Sequence, residues 1–216
     1  MPASERSEDV VRAVAARHRR ALADLVESLD DAQLAAPSLC AGWDVRTVAA
    51  HVASVLTMSM PGLLLDLLLA RGDVDRAIDR VARRTARRPV SAIVATLRDH
   101  ADSRFAPPGT GPRGPMTDAL VHTADITVPL GLPHDPDPAD VRIGLEFVVG
   151  RAAAGFTTRE RLAGLRFVAD DAGFAHGEGD VVSGRGIDLL VAACGRAAVL
   201  DRLDGPGVDV LHGRLG

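Results

Sequence analysis

The segment Pro115–Gly131, PMTDALVHTADITVPLG, concentrates the residues best suited to chemistry. Read as a helix, it places Asp118, His122 and Asp125 at i, i+4 and i+7, one polar stripe among Ala, Leu, Val and Ile. A carboxylate and an imidazole one turn apart can grip a divalent metal once a third ligand arrives from elsewhere. His51 is the candidate, set into the apolar stripe Val45, Val48, Val52 and Val55 of another predicted helix. Alone, His51 reads as a buried histidine whose nitrogens find a hydroxyl or a carbonyl. Joined to Asp118 and His122 it completes two imidazoles and a carboxylate with coordination positions left open, the donor set of a catalytic zinc site. Such a metal activates a bound water, or holds a bound thiol as its thiolate. Asp125, one turn beyond His122, is expected to orient a ligand or a bound cofactor group. His18 lies on or beside an apolar stripe and reads as a core or boundary histidine.

These side chains need helices to present them, and the sequence predicts several. Val10, Val14, Leu22, Leu25 and Leu29 recur at helical spacing over 7–31. Asp44 is a natural N-cap for the helix carrying His51, with Trp43 and Val48 placed for a hydrophobic staple. Pro61-Gly62 is expected to kink or end that helix, with Leu63–Leu69 a short apolar continuation. Residues 73–88 are heavily charged and read as an exposed helix or ordered connection, and 90–105 as a further helix. Pro115 sits near the start of the helix bearing Asp118 and His122, and Pro129 and Gly131 stop it. Helices joined by loops in this number suggest a bundle that can build a site in its core.

The pattern changes after a further helix predicted over 141–154. Leu165–Ala169, Gly173–His176 and Val181–Ser183 read as short strands between Asp- and Gly-rich turns. Ile187–Cys194 reads as an apolar helix, and a turn and short helix close 200–211. The expected fold class is therefore α+β: a helical domain over 1–155, then a small α+β domain over 156–216.

Composition narrows the functions. The chain has 216 residues, 47% of them apolar, enough for a real core. A net charge of -4 leaves no electrostatic footprint for nucleic acid. The run 52–70 is broken by Ser54, Thr57, Ser59, Pro61 and Asp66, so no membrane span is expected. The N-terminal MPASERSEDV is acidic and polar, unlike a secretion signal. Cys40 and Cys194 show no metal-ligand spacing, and a cytoplasmic protein with free thiols is expected.

Two segments, GWDVRTVAAHV and DALVHTADITVPLG, resemble the N-terminal domain of the mycothiol-dependent maleylpyruvate isomerase family, within the wider DinB-like group of metal-binding four-helix bundles. VVSGRGIDLLVAACGRAAVLDRLDGPGVDVL resembles that family's small second domain. The resemblance spans residues 10–211 and implies a DinB-like four-helix bundle followed by a small α+β domain. His51, Asp118 and His122 fall on the family's metal-ligand positions, with Asp118 where the isomerases usually carry Glu. The resemblance further implies zinc or another divalent metal, mycothiol as cofactor, and a small electrophilic substrate as partner. An arginine of the small domain helps bind the anionic substrate in that family; Arg196 is the candidate and Arg185 the second. The reaction implied is isomerisation or thiol transfer; a monomer or a homodimer is expected, the sequence leaving the two open. Two other readings remain open on the sequence: a metal-binding bundle without turnover, and a carrier of apolar ligands.

Overall fold

The structure is a computed structural model and describes residues 3–151, 153 and 155–215. It is mostly helical with one small sheet, as the α+β expectation requires. The chain forms two compact units: residues 1–106 with 125–132, and residues 107–124 with 133–216.

In the first unit, α1 (Ala3–Ser28) is followed by the single turn α2 (Asp31–Leu34). Asp30 and Gln33 close a capping box there: the Asp30 carboxylate accepts from the Gln33 amide, and the Gln33 side chain accepts from the Asp30 amide. Helix α3 (Val45–Leu56) begins as its sequence demands. Asp44 adopts the extended N-cap conformation and accepts the Thr47 amide at 2.7 Å, satisfying one of the helix's orphan donors.

Pro61 behaves differently from expectation. Helix α3 ends at Leu56, and Ser59 caps a new helix, α4 (Met60–Leu69), with Pro61 in its first turn. Proline lacks an N–H that the first turn would leave unpaired anyway, so it starts this helix and does not break the previous one. Helix α5 (Val74–Ala86), capped by Asp73, is also less exposed than its charge suggests. Ala77, Val81 and Ala82 are buried, and α5 packs along α3. Helix α6 (Val90–Asp99) is shorter than predicted and closes at His100.

Helices α1 and α3 both pack on α6, around a core that includes Leu22, Val26, Val48, Val52, Ile93 and Leu97. Arg98 of α6 reaches Asp24 and Glu27 of α1, both at 2.6 Å. Arg19 is buried and donates to the Ala101 and Ser103 carbonyls at 2.6 and 3.1 Å, fixing the segment after α6.

Helix α7 (Arg113–Thr127) contributes its first turns to the second unit and its last to the first, where Ile126 joins the core. In the second unit α8 (Pro138–Val148) starts at Pro138 behind an Asp137 cap. It stops before the predicted Ala154; Ala152 and Ala154 lie outside the described residues. The turn α9 (Arg159–Leu162) leads into β1 (Leu165–Ala169), β2 (Phe174–His176) and β3 (Asp180–Ser183). The sheet order is β2-β1-β3, antiparallel between β1 and β2 and parallel between β1 and β3. Leu165, Phe167 and Ala169 alternate inward along β1. Gly177 has φ 88°, and a Cβ there would stand 2.2 Å from the Leu165 carbonyl oxygen, so only glycine fits this turn. Helix α10 (Gly186–Ala193) packs on α8 and β1, followed by a 3₁₀ turn at Ala197–Arg202 and by α11 (Gly207–His212).

The Asp44 cap gives a direct test. Asp44→Ala should cost about 1 kcal/mol of unfolding free energy, read from urea unfolding, while Asp44→Ser should restore most of it.

Candidate metal site

The polar stripe on α7 forms as the spacing predicts. Asp118 Oδ1 and His122 Nε2 lie 3.3 Å apart, one turn from each other, with side-chain exposures of 19% and 11%. His51 on α3 is buried too. Its backbone carbonyl accepts the Ser54 hydroxyl at 2.7 Å, an ordinary intrahelical contact. Each of His51, Asp118 and His122 offers one ligand atom, and these atoms lie within 4.8 Å of one another, so the three can hold one metal ion. Two buried imidazoles and a carboxylate are a donor set suited to zinc with coordination positions left open.

Asp125 is fully buried. Its backbone carbonyl accepts the Leu39 amide at 3.1 Å, and its carboxylate accepts the Cys40 thiol at 3.1 Å. Cys40, with no ligand spacing in sequence, therefore falls into a second group of potential ligands with His122 and Asp125. The contact joins residues 85 apart in the chain, beyond the reach of any local pattern.

Trp43 has a more specific role than the staple its position suggested. Its ring lies 5.2 Å from the His51 ring, tilted by 46°. Its indole N–H donates to Asp79 Oδ1 on α5 at 2.8 Å. Arg83 donates to the same oxygen at 2.7 Å and to the Gly42 carbonyl at 2.8 Å. An indole body against apolar neighbours with its N–H on a carboxylate is a fixed arrangement. It holds the wall against which His51 rests. The Trp43 hydrogen bond, with the Arg83 charge beside it, keeps the Asp79 carboxyl below its ordinary range.

The two arginines are placed as follows. Arg196 is half-buried after α10 and donates to the Cys194 carbonyl at 2.7 Å. Arg185 is exposed and paired with Asp135. Nearby, burial pushes the Asp188 carboxyl up from its ordinary value despite Arg202 at 3.4 Å.

Fold and donor set together define an α+β protein whose helices carry candidate ligands for one divalent metal. Residues 15–107 match the model of the mycothiol maleylpyruvate isomerase N-terminal domain. The fold of the chain is similar to a crystal structure of the mycothiol-dependent maleylpyruvate isomerase: TM-score 0.60 and 15% identity, over 95% of this chain and 93% of that one. A histidine-to-alanine mutant of the same isomerase gives a TM-score of 0.59 at 14% identity, with the same coverage. No curated protein matches. The family resemblance seen in the sequence is borne out over residues 15–107, and the α+β architecture over most of the chain. Among the described residues, no helix is long and apolar enough to cross a membrane.

The Asp79 contacts carry a pH signature. Because the folded carboxyl titrates below its unfolded value, its stabilisation is present above about pH 4 and lost as pH falls through the folded value. Asp79→Ala should therefore lower urea stability by about 1 kcal/mol at pH 7, and the deficit should shrink as the pH is taken well below 4. A deficit independent of pH would show that the carboxylate does not act through its charge.

Proposed function

We propose that this protein is an enzyme that uses a divalent metal and a small thiol to isomerise, or transfer the thiol to, a small electrophile. The observation that carries the reading is the group His51, Asp118 and His122, joined to the family of residues 15–107. The donor set favours zinc, and the mycothiol dependence of the structurally similar isomerase makes mycothiol the thiol of choice. A metal held there would keep the cofactor sulfur as thiolate at neutral pH, a stronger nucleophile than the thiol. Bound mycothiol would supply reversible addition to a carbonyl-conjugated double bond, freeing rotation between cis and trans, or its one-way counterpart, S-transfer.

The chain's own residues perform the rest. His51 and His122 would hold a divalent metal through imidazole nitrogens and Asp118 through one carboxylate oxygen, a set that would leave the centre net positive and favour an anionic sulfur. Trp43, pinned by Asp79 and Arg83, limits how far the His51 ring can turn. Asp125 orients His122 or a bound cofactor group, with Cys40 holding its carboxylate. Arg196, in the small domain over 156–216, is the residue assigned to the anionic part of the substrate. The reading places the protein in the cytoplasm, where small thiols are kept reduced.

Purified without chelator, the protein should carry about one zinc per chain, and His51→Ala or His122→Ala should remove it. Thiol-dependent isomerisation of a cis-dicarbonyl acid should fall by at least ~100-fold in either variant. Activity that survives metal loss would defeat the proposal. Arg196→Ala should raise KM for an anionic substrate by about tenfold with kcat less affected, and Arg196→Lys should recover part of the loss.

A further inference from the structure

Helix α4 is built the wrong way round for a surface helix. Its ten residues, MPGLLLDLLL, carry a single charge, and none of them is buried. The face turned to solvent holds Met60, Leu64, Leu65, Leu68 and Leu69, with Leu64 63% and Leu68 74% exposed. The opposite face, with Leu63, Asp66 and Leu67, is half-buried, and there Asp66 meets Arg84 of α5 at 3.5 Å. The only charged side chain thus points inward, and leucines point out. A helix that is apolar on its outer face as well as its inner one belongs between two partners.

The band does not end with α4. Val74 and Ile78 at the start of α5 are exposed as well, and α5 packs against α4. Among the described residues, seven of the eight exposed large hydrophobic side chains fall between Met60 and Ile78. Together they present on the order of 600 Å² of apolar surface, the upper end of what a monomer ordinarily leaves open. A two-fold contact needs about 800 Å² from each copy, apolar at its centre and polar at its rim. The exposed charges that follow the band, Arg71, Asp73, Asp75, Arg76 and Arg80, supply such a rim with both signs present. A self-facing surface requires that mixture, since a rim of one sign would repel its own image. A lipid surface is a poorer fit, because α4 carries no basic residue to meet headgroups.

We propose that the face formed by α4 and the start of α5 is the contact between two copies of this chain, which pair as an isologous dimer through Leu64, Leu65 and Leu68. The proposal is independent of the metal site and of the reaction.

The test is sedimentation equilibrium of the full chain at micromolar concentration. The expected mass is twice the 22.6 kDa of one chain. Leu64→Glu with Leu68→Glu should halve that mass and leave far-UV circular dichroism and zinc content unchanged, because both side chains are exposed. Val10→Glu, at an exposed apolar position outside the band, should leave the dimer intact. Leu68→Cys chains should cross-link under mild oxidation if the helices face each other. A mass of 22.6 kDa for the unaltered chain throughout that range would overturn the proposal. So would a dimer that survives the double substitution. Binding to phosphatidylglycerol vesicles by a chain that stays monomeric would assign the face to lipid instead.

Discussion

Two polar side chains one helical turn apart inside an apolar helix make the constraint around which this protein is arranged. Asp118 and His122 lie 3.3 Å from each other on α7, both largely shielded from water. A carboxylate and an imidazole so placed are costly to bury unless they satisfy each other or a cation. Much of the local structure serves to keep such groups oriented. The Leu39 amide and the Cys40 thiol hold Asp125 at its backbone and its carboxylate. Asp79 and Arg83 on α5 hold Trp43 against the His51 ring.

Helix α5 shows how a charged segment earns a place in a bundle. Ala77, Val81 and Ala82 give it a narrow buried face of small residues, which lets it lie along α3. Its polar side carries Asp79 and Arg83, which reach back to Trp43 and Gly42 at the start of α3. One helix thereby packs the core and fixes the aromatic neighbour of a proposed metal ligand. Its neighbour α4 packs on it with leucines facing outward, so the same two helices supply the surface assigned to a second copy.

Much of this was legible in the sequence, for reasons that are local. Asp44 ahead of an apolar run announces an N-cap, and the structure has it. The strands β1 to β3 stand out because alternating apolar residues are punctuated by turns that only glycine can make, as at Gly177. Asp118 and His122 share a face because helical spacing fixes it. Pro61 was harder, since proline after an apolar run can end one helix or begin another; the Ser59 cap decides. The burial of α5 was masked by its dense charge, although Ala77, Val81 and Ala82 recur at helical spacing between the arginines and aspartates. The Trp43–Asp79 and Cys40–Asp125 contacts join residues 36 and 85 apart, and no sequence pattern encodes such pairs. The one available hint was general: a buried indole N–H needs an acceptor.

X-ray absorption at the zinc edge, on protein loaded with one equivalent of zinc and no thiol, tests the proposed site most directly. Binding through His51, Asp118 and His122 predicts a first shell of nitrogen and oxygen only, at about 2.0–2.2 Å, with imidazole multiple scattering from two rings. His51→Ala should reduce that signal to one ring. A sulfur scatterer near 2.3 Å in the thiol-free protein, or a spectrum unchanged by the loss of His51, would contradict the account.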